Sequence, residues 1–188
     1  MRRITKAIGM LHFVPDSLFL KMAYRLEIGR RLSLRAPRTL NEKLQWLKLY
    51  GGLERFSRLA DKWTAREQVK KVLGEEYLVP ALGVYESAAD IPWAQLPPPY
   101  VAKCTHGSHC GVICLDAAGF DAQKAQADLD RWLRRDWFWF GREPVYLGIE
   151  PRVLVEKFIG SGGKLPDDYK IMCFHGEPRV VQVHEKAG

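Results

Sequence analysis

The sequence predicts an α+β fold, with helices in the first half of the chain and mainly strands in the second half. Two segments of the first half, one beginning at Thr39 and the other spanning residues 61–74, begin with capping residues typical of helices. Residues 101–116 read as a strand, a glycine-containing loop and a second strand. Further apolar runs follow from residue 153 onward.

The composition allows a folded core and favours anionic partners. The chain has 188 residues, of which 47% are hydrophobic, enough for one domain or two small lobes. Its 29 lysines and arginines exceed the 22 acidic residues and give a formal net charge of +7. This surplus favours nucleotides, acidic glycans, nucleic acids or an anionic membrane surface without choosing among them.

We expect the protein to be cytoplasmic. The chain begins Met1-Arg2-Arg3, but the apolar stretch 8–14 contains His12 and no small-residue cleavage site follows it. No run approaches the roughly 20 apolar residues that a membrane-spanning helix needs. The four cysteines are therefore expected to be reduced thiols.

Residues 18–34 alternate aliphatic and basic side chains at near-helical spacing, which predicts a basic amphipathic helix. Such a helix either packs on the protein body or touches an anionic membrane surface. Glu27 and Gly29 interrupt its polar face and favour packing, with peripheral contact at the inner membrane surface left open. Pro37 is expected to end this arm.

Thr39 and Glu42 form a capping-box pattern, so a helix should follow with Leu44, Trp46 and Leu47 turned inward.

The next helix is predicted to begin at Asp61 and to end at Gly74. Lys62 and Arg66 lie four residues apart and therefore on one face of it. These two cations can reach a phosphate, or they can form ion pairs with the acidic residues Glu67 or Glu75.

The loop between the two strands of residues 101–116 is a candidate phosphate site. Lys103 lies on the first strand, and Gly107, Ser108 and Gly111 follow it. Glycines let the main chain approach a ligand closely, and successive N–H groups with a lysine suit an anion. The alternative is an ordinary surface hairpin with a solvated lysine. Neither a Rossmann nor a P-loop glycine fingerprint occurs.

The flanking segments are predicted to be structural. Residues 77–85 resemble a strand interrupted by Pro80, residues 87–99 form a proline-rich connector, and Asp121 is a candidate N-cap. The aromatic cluster 137–140 lies among arginines and could stack single-stranded bases or cover a sheet. Asp136 and Glu143 interrupt the basic field, so we favour the cover and expect no nucleic-acid partner.

The last third of the sequence predicts strands at residues 153–159, 169–174 and 179–184. The glycine-rich segment 160–163 separates the first two strands, and a turn at residues 175–178 separates the last two. The second half should therefore form a sheet covered by one helix. Glu156 is the unusual residue, since a carboxylate in an apolar strand is either turned to solvent or kept for a ligand.

Two other sites are conceivable around the loop. Five thiol and imidazole side chains could form a zinc site, although they lack paired Cys-x-x-Cys arms; they are Cys104, His106, His109, Cys110 and Cys114. Ser108 could be a nucleophile with His106 as its base, but no nucleophile elbow and no third partner are found.

Several motifs in fixed order resemble the TupA-like ATP-grasp family, from about Tyr24 to the last residues. They are Pro37-x-Thr39-Leu-Asn-Glu-Lys-Leu-Gln-Trp-Leu-Lys48, Asp61-Lys62 with Arg66, Lys103-x-x-His106-Gly-Ser108, Arg142-Glu143 with Tyr146, and Asp168-Tyr-Lys-x-x-Cys-Phe174. The resemblance implies an ATP-grasp-like fold. In that fold, residues 1–36 are a basic helical arm, residues 37–98 an N-terminal α/β lobe, and residues 99–188 a β-rich nucleotide-binding lobe.

The resemblance also implies an activity and its residues. The activity is that of an ATP-dependent carboxylate–amine ligase in bacterial cell-surface polysaccharide biosynthesis, with ATP, Mg²⁺ and an anionic sugar or polysaccharide precursor as ligands. A carboxylate is activated as an acyl phosphate, and an amine then attacks it to form an amide. The implied phosphate contacts are Lys62, Lys103 and the loop residues His106, Gly107 and Ser108. The implied adenine strand carries Glu156, Lys157 and Ile159, and further substrate or phosphate contacts are Arg66, Asp168 and Lys170.

Two features depart from the family pattern. Residues 182–188 supply no set of acidic and asparagine ligands for Mg²⁺, so we expect the nucleotide lobe to be C-terminally incomplete. His109 and Cys110 follow Ser108 where the family usually has a glycine. The alternative function is a non-catalytic remnant of this fold that binds an anion or a glycan.

Overall fold

The computed structural model describes residues 12–161 and 164–185, and this part of the chain is a mixed α+β protein. Its helices are α1 (Asp16–Ile28), α2 (Leu40–Tyr50), α3 (Ser57–Ala60), α4 (Lys62–Val72), α5 (Ala122–Leu133) and α6 (Phe138–Gly141). Its strands are β1 (Ala81–Tyr85), β2 (Tyr100–Cys104), β3 (Gly111–Cys114), β4 (Val153–Lys157), β5 (Asp168–Phe174) and β6 (Glu177–His184). The predicted α+β class is confirmed.

The strands form two antiparallel sheets. The larger has the order β1-β4-β2-β3, so that β4 lies between β1 and β2. The pair β5–β6 is a separate two-stranded sheet. The prediction of one sheet in the second half is therefore wrong, because β1 comes from before the proline connector and the last hairpin pairs with itself.

The two faces of the four-stranded sheet differ in chemistry. The face covered by α5 is apolar and fully buried, and it carries Ala102, Cys104, Val153 and Val155, which pack with Leu129. Each fully buried aliphatic side chain contributes about 1.5–3 kcal/mol to folding. Because side chains alternate across a strand, Lys103 and Glu156 emerge on the opposite face, toward α4.

Helix α1 ends at Ile28 rather than continuing to Leu34. Gly29 adopts a left-handed conformation with φ of 76° and donates its N–H to the Arg25 carbonyl oxygen, which terminates the helix. Phe19 and Leu20 of α1 are buried in a second core that Leu32 completes, so the predicted packing of this arm is confirmed. Its residues 1–11 lie outside the described residues, as do residues 162–163 of the glycine-rich segment and residues 186–188.

A buried arginine holds α1 against α6. Arg142 is 1% exposed, and its Nη1 lies 3.3 Å from Asp16 Oδ1. Its guanidinium carbon lies 4.1 Å from the centre of the Trp139 ring and 4.9 Å from that of Phe19. Cation–π contacts of this kind strengthen when they are shielded from water.

The capping box before α2 is confirmed. Thr39 Oγ1 accepts from the Glu42 N–H at 3.3 Å, and the Glu42 carboxylate accepts from the Thr39 N–H at 2.9 Å. The inward stripe is wrong, since Leu44, Trp46 and Leu47 are 45%, 37% and 38% exposed. Helix α2 contacts the second core through Leu49 instead.

The other predicted boundaries agree closely with the structure. Asp61 caps α4 by accepting from the Trp63 N–H at 3.1 Å, and α4 ends at Val72, two residues before Gly74. Asp121 caps α5 through the Lys124 N–H at 2.9 Å. Strand β1 starts only after Pro80, because proline cannot donate to the ladder.

The hairpin β5–β6 has exposed apolar side chains along both strands. Tyr169, Ile171 and Val181 are 64%, 59% and 57% exposed. Strand β6 starts at Glu177, two residues earlier than predicted. Within residues 12–161 and 164–185, the helices are too short or too polar to pass through a lipid bilayer.

Candidate functional site

A buried carboxylate lies at the centre of the sheet face that α4 covers. Glu156 on β4 is 5% exposed, and its Oε1 lies 2.6 Å from Arg66 Nη1. Lys103 on β2 forms an ion pair with the other oxygen, Oε2. Arg66 Nη2 also donates to the Val79 carbonyl oxygen at 2.6 Å. Glu156 is therefore neither solvated nor unpaired: it is neutralised by two cations from two different elements.

The alternative partners proposed for the cations of α4 are wrong. Arg66 pairs with Glu156, whereas Glu67 pairs with Arg58 and Glu75 pairs with Lys70.

Lys62 reaches the loop that follows β2. Its Nζ donates to the carbonyl oxygens of Cys104 at 3.0 Å, Thr105 at 3.4 Å and Gly107. Its backbone N–H also donates to Thr105 O at 3.1 Å, so the first residue of α4 is fixed against the loop by both main chain and side chain. Burial lowers the pKa of Lys62, although the surrounding carbonyl dipoles suit a positive charge.

The loop between β2 and β3 begins with two buried polar residues. His106 is 4% exposed and its Nε2 lies 3.2 Å from the Arg135 carbonyl oxygen. Burial lowers the pKa of His106, which favours the neutral imidazole. The buried atoms His106 Nδ1 and Thr105 Oγ1 have no hydrogen-bond partner among the described residues. Buried polar atoms of this kind are candidates for a ligand contact.

The packing around the middle of the loop explains why residue 107 is a glycine. A Cβ atom added to Gly107 would lie 2.1 Å from Cε2 of Trp137, so no larger residue fits without moving the indole. His109 has φ of 55°, a left-handed conformation that glycine adopts more readily. The residue that departs from the family pattern therefore retains the backbone shape that a glycine would favour.

An aromatic pocket of about 500 Å³ opens beside the loop. Its lining includes the loop residues Ser108 and His109, the aromatic residues Trp137, Phe140 and Tyr146, and the charged residues Arg135 and Glu143. Ser108 Oγ lies 3.5 Å from the Tyr146 hydroxyl.

Sequence reasoning assigned Trp137 to a cover and did not foresee that it would touch the phosphate-loop candidate. The sequence motif that includes Tyr146 pointed to this region, but it assigned no role to any residue of the region.

The predicted site residues fall into three groups. Lys62, Arg66, Lys103, Glu156 and the loop of His106, Gly107 and Ser108 surround the junction of α4, β2 and β4. Lys157 ends β4 and donates its N–H to Pro80 O at 3.0 Å, and Ile159 beyond it is 61% exposed. Asp168 and Lys170 lie on the separate hairpin and pair with each other.

The zinc alternative is contradicted by the arrangement of its candidate ligands. All five lie in the described part of the chain, where no three His, Cys, Asp or Glu side chains are grouped so that they could hold a metal ion. By the same finding, the described residues form no preassembled set of three carboxylate ligands for Mg²⁺, an ion that nucleotide sites usually hold through one or two carboxylates together with the substrate phosphates. The proposed Ser108–His106 pair is not observed either, since Ser108 contacts Tyr146 and His106 contacts Arg135.

The described part of the chain is a mixed α+β fold in which basic side chains and a buried carboxylate surround a glycine-containing loop. A family model described as TupA-like ATPgrasp matches residues 42–186 of this 188-residue chain, which therefore belongs to that family. The family supports an ATP-grasp fold and nucleotide binding in general. Comparisons with curated proteins and with solved structures give no significant match.

Proposed function

We propose that the chain binds ATP, with Lys62, Lys103 and the loop at His106, Gly107 and Ser108 contacting the phosphates. The observation that carries the proposal is the charge around the junction of α4, β2 and β4. Three cations, Lys62, Arg66 and Lys103, meet two buried carboxylates, Asp61 and Glu156. This excess of positive charge, partly shielded from water, favours a polyphosphate.

The loop fits such a ligand in a second respect. Thr105 Oγ1 and His106 Nδ1 are buried without partners, at the point where the main chain leaves β2. A hydroxyl and an imidazole nitrogen can both exchange hydrogen bonds with phosphate oxygens or with water bound to them. Ligand binding would therefore satisfy polar atoms that the described part of the chain leaves unpaired.

Lys103 and Arg66 have different roles in this proposal. The Lys103 side chain is 32% exposed, whereas the Arg66 side chain is 14% exposed. The lysine can therefore turn from Glu156 to a phosphate while Arg66 continues to neutralise the carboxylate. Arg66 is a positioning residue for Glu156, and Lys103 is the direct contact.

The adenine base is assigned to the end of β4, near Lys157 and Ile159. Strand β4 is paired on both sides, and Lys157 and Phe158 donate their N–H groups to Pro80 O and Pro99 O at 3.0 and 3.1 Å. Main-chain contacts to adenine would therefore come from the segment after Phe158. Glu156, already held by two cations, supports this strand from the side of α4.

The aromatic pocket suits an anionic sugar. Trp137, Phe140 and Tyr146 offer ring faces, and Arg135 offers a guanidinium for a sugar carboxylate. Because Ser108 and His109 line the same pocket, the carboxylate would lie beside the phosphate loop. This arrangement supports activation of the carboxylate by phosphoryl transfer, followed by attack of an amine, as in a carboxylate–amine ligase of cell-surface polysaccharide biosynthesis.

The protein's contribution to that reaction is to align the reactants and to neutralise the charge of the transferred phosphoryl group. Lys62 and Lys103 supply the charge. Asp168 and Lys170, on the hairpin, remain proposed contacts to substrate.

Calorimetric titration of ATP, in magnesium-containing buffer at two salt concentrations, tests the proposal on the parent chain and on Lys103→Ala. We expect saturable binding by the parent and at least a tenfold weaker affinity for the variant, about 1.4 kcal/mol. Lys43→Ala is the matched control, because Lys43 is exposed on α2. Its affinity should equal that of the parent.

Equal and weak binding by all three proteins, with a steep salt dependence, would contradict the nucleotide site. The alternative of an anion-binding remnant of the fold would then account for the basic surface.

A further inference from the structure

Cys104 and Cys110 face each other across the two ends of the candidate phosphate loop. Lys103 pairs with Gly111 in the β2–β3 ladder, which places Cys110 opposite Cys104. Cys104 N–H donates to the Cys110 carbonyl oxygen at 2.8 Å, and the Cys110 thiol donates to the Cys104 carbonyl oxygen at 3.9 Å. Both side chains are buried in the core on the α5 side of the sheet. The two thiols therefore leave neighbouring strands on the same face.

This placement is compatible with a disulfide bond. Hydrogen-bonded residues that face each other on antiparallel strands have Cα atoms about 5.5 Å apart. Disulfides form when the Cα atoms are roughly 4.4–6.8 Å apart. The other two cysteines lack this relationship: the Cys114 thiol donates to the Asp116 carbonyl oxygen at 3.3 Å, and Cys173 is exposed on β5.

We propose that Cys104 and Cys110 are a redox pair, and that their disulfide fixes the ends of the loop and weakens ATP binding. The regulatory part of this inference rests on the proposed nucleotide site. The formation of the disulfide does not.

Hydrogen peroxide is the oxidant in the proposed reaction. The Cys110 thiolate attacks one peroxide oxygen, so that an S–O bond forms, the O–O bond breaks, and the leaving hydroxide takes up a proton to become water. The Cys104 sulfur then attacks the Cys110 sulfenic acid; the S–S bond forms, the S–O bond breaks, and the hydroxyl leaves as a second water with the Cys104 proton. The two sulfurs give up two electrons, and one peroxide is reduced to two waters.

The surroundings of the pair support Cys110 as the attacking group. A hydrogen bond from the Cys104 thiol lowers the pKa of Cys110 to about 7, and the nearby Lys62 ammonium acts in the same direction. The same hydrogen bond raises the pKa of Cys104, which retains its proton. A thiolate is the reactive form of cysteine. Cys110 is itself buried, at 4% exposure, but it directly follows two exposed residues, Ser108 and His109, so a peroxide molecule would reach it through this part of the loop.

The disulfide would act on nucleotide binding through Lys62. The Lys62 ammonium is held by the carbonyl oxygens of Cys104, Thr105 and Gly107, all at or inside the span that the disulfide closes. Phosphate binding requires this ammonium to exchange carbonyl partners for phosphate oxygens and requires the loop to adjust. A covalent link between residues 104 and 110 restricts that adjustment.

Differential alkylation tests the modification on the full chain carrying Cys173→Ser. Protein treated with hydrogen peroxide is freed of peroxide and unfolded in guanidinium chloride, because all three cysteines are buried. It is then alkylated with iodoacetamide, reduced, and alkylated with N-ethylmaleimide, still in denaturant, before dilution and digestion with trypsin. Residues 104–124 form one tryptic peptide with three cysteines, so fragment masses are needed to assign each label. We expect iodoacetamide on Cys114 and N-ethylmaleimide on Cys104 and Cys110. Labelling of all three by iodoacetamide, or irreversible oxidation of Cys110 without a link, would overturn the redox pair.

Two further cysteine variants test whether the disulfide joins Cys104 to Cys110 and to no other cysteine. An added Cys114→Ser should leave the link intact, and an added Cys110→Ser should abolish it while the protein remains folded by circular dichroism. A link that persists in the Cys110→Ser background would show a different pairing and would overturn the assignment.

ATP titration of the reduced, oxidised and re-reduced protein tests the regulatory part. We expect at least a tenfold loss of affinity on oxidation, recovery after dithiothreitol, and no change with peroxide in the Cys110→Ser background. A confirmed link with unchanged affinity would overturn regulation but not the redox pair. If the reduced protein does not bind ATP, the proposed function and its regulation fail together, while the link is judged by the labelling alone.

Discussion

Arg66 Nη1 lies 2.6 Å from Glu156 Oε1, and this contact joins the second turn of α4 to β4, an inner strand of the four-stranded sheet. Both side chains are largely withdrawn from water. Removing one partner of a buried ion pair leaves the other charge uncompensated, which typically costs about 3–5 kcal/mol. The pair is therefore expected to matter for stability as well as for the candidate site.

Glu156→Gln should lower the free energy of unfolding by about 3 kcal/mol, because glutamine keeps the shape but leaves Arg66 and Lys103 without their counter-charge. Urea denaturation measures the change. The matched control is Glu67→Gln, which breaks an exposed ion pair with Arg58 and should cost less than about 1 kcal/mol. Equal effects of the two substitutions would show that the buried pair adds no net stability.

Gly107→Ala should displace the Trp137 indole, because the added Cβ atom would meet that ring at 2.1 Å. We expect a loss of about 1–3 kcal/mol in stability from overpacking and at least a tenfold loss in ATP affinity from the distorted loop. Thermal unfolding and calorimetric titration measure the two effects. Gly119→Ala serves as the control, since its Cβ atom would meet only the Asp116 carboxylate, at 3.3 Å. ATP affinity equal to that of the control would contradict a role for the Gly107–Trp137 contact.

His106 should make the protein less stable in mild acid. Its pKa is lowered in the folded state by burial, so the unfolded chain takes up a proton first as the pH falls below the ordinary value of 6.5. The contribution is complete above that value and is lost as the pH falls toward the lower pKa of the folded state. We expect the Tm of the parent to fall more than that of His106→Gln between about pH 7.5 and pH 5.5. Parallel Tm curves for the two proteins would show that His106 is not responsible.

Arg142→Lys should loosen the attachment of α1. The planar guanidinium lies against Trp139 and Phe19 and contacts Asp16, and a lysine ammonium cannot reproduce the stacking. We expect a loss of about 2 kcal/mol in the free energy of unfolding. Arg131→Lys on α5 is the control, because the Arg131 side chain is 58% exposed and pairs with Asp128 on the same helix. A change of less than about 0.5 kcal/mol in both variants would contradict a structural role for Arg142.

Local signals predicted the elements well because capping and turn chemistry act over a few residues. Thr39, Asp61 and Asp121 cap helices as their side chains indicated, and the β2–loop–β3 unit follows from its two short apolar runs and the glycines between them. Solvent exposure was harder to predict. Trp46 on α2 has the helical spacing of a core residue yet is 37% exposed, because α2 contacts the second core through Leu49 instead.

The candidate site could be predicted as a set of residues but not as an arrangement. Lys62, Lys103 and Glu156 were implied by the family resemblance, whereas the ion pair between Lys103 and Glu156 depends on β4 lying beside β2, a contact between segments about fifty residues apart. Trp137 gave no local signal of its contact with Gly107, which depends on the turn between α5 and α6. Cys104 and Cys110 were read as scattered metal ligands because their facing positions follow from the hairpin register, which the sequence did not specify.

The central position of β4 has a consequence for biosynthesis. Strand β1 leaves the ribosome about seventy residues before β4, yet the two are hydrogen-bonded neighbours, and β2 also pairs with β4. Until residue 157 has emerged, β1 has no partner from the sheet and one side of β2 remains open. The sheet must therefore assemble late, through contacts between distant segments, which is characteristic of slow folding. Nascent chains that stall before β4 would expose two unpaired edges and should depend on chaperones to avoid aggregation.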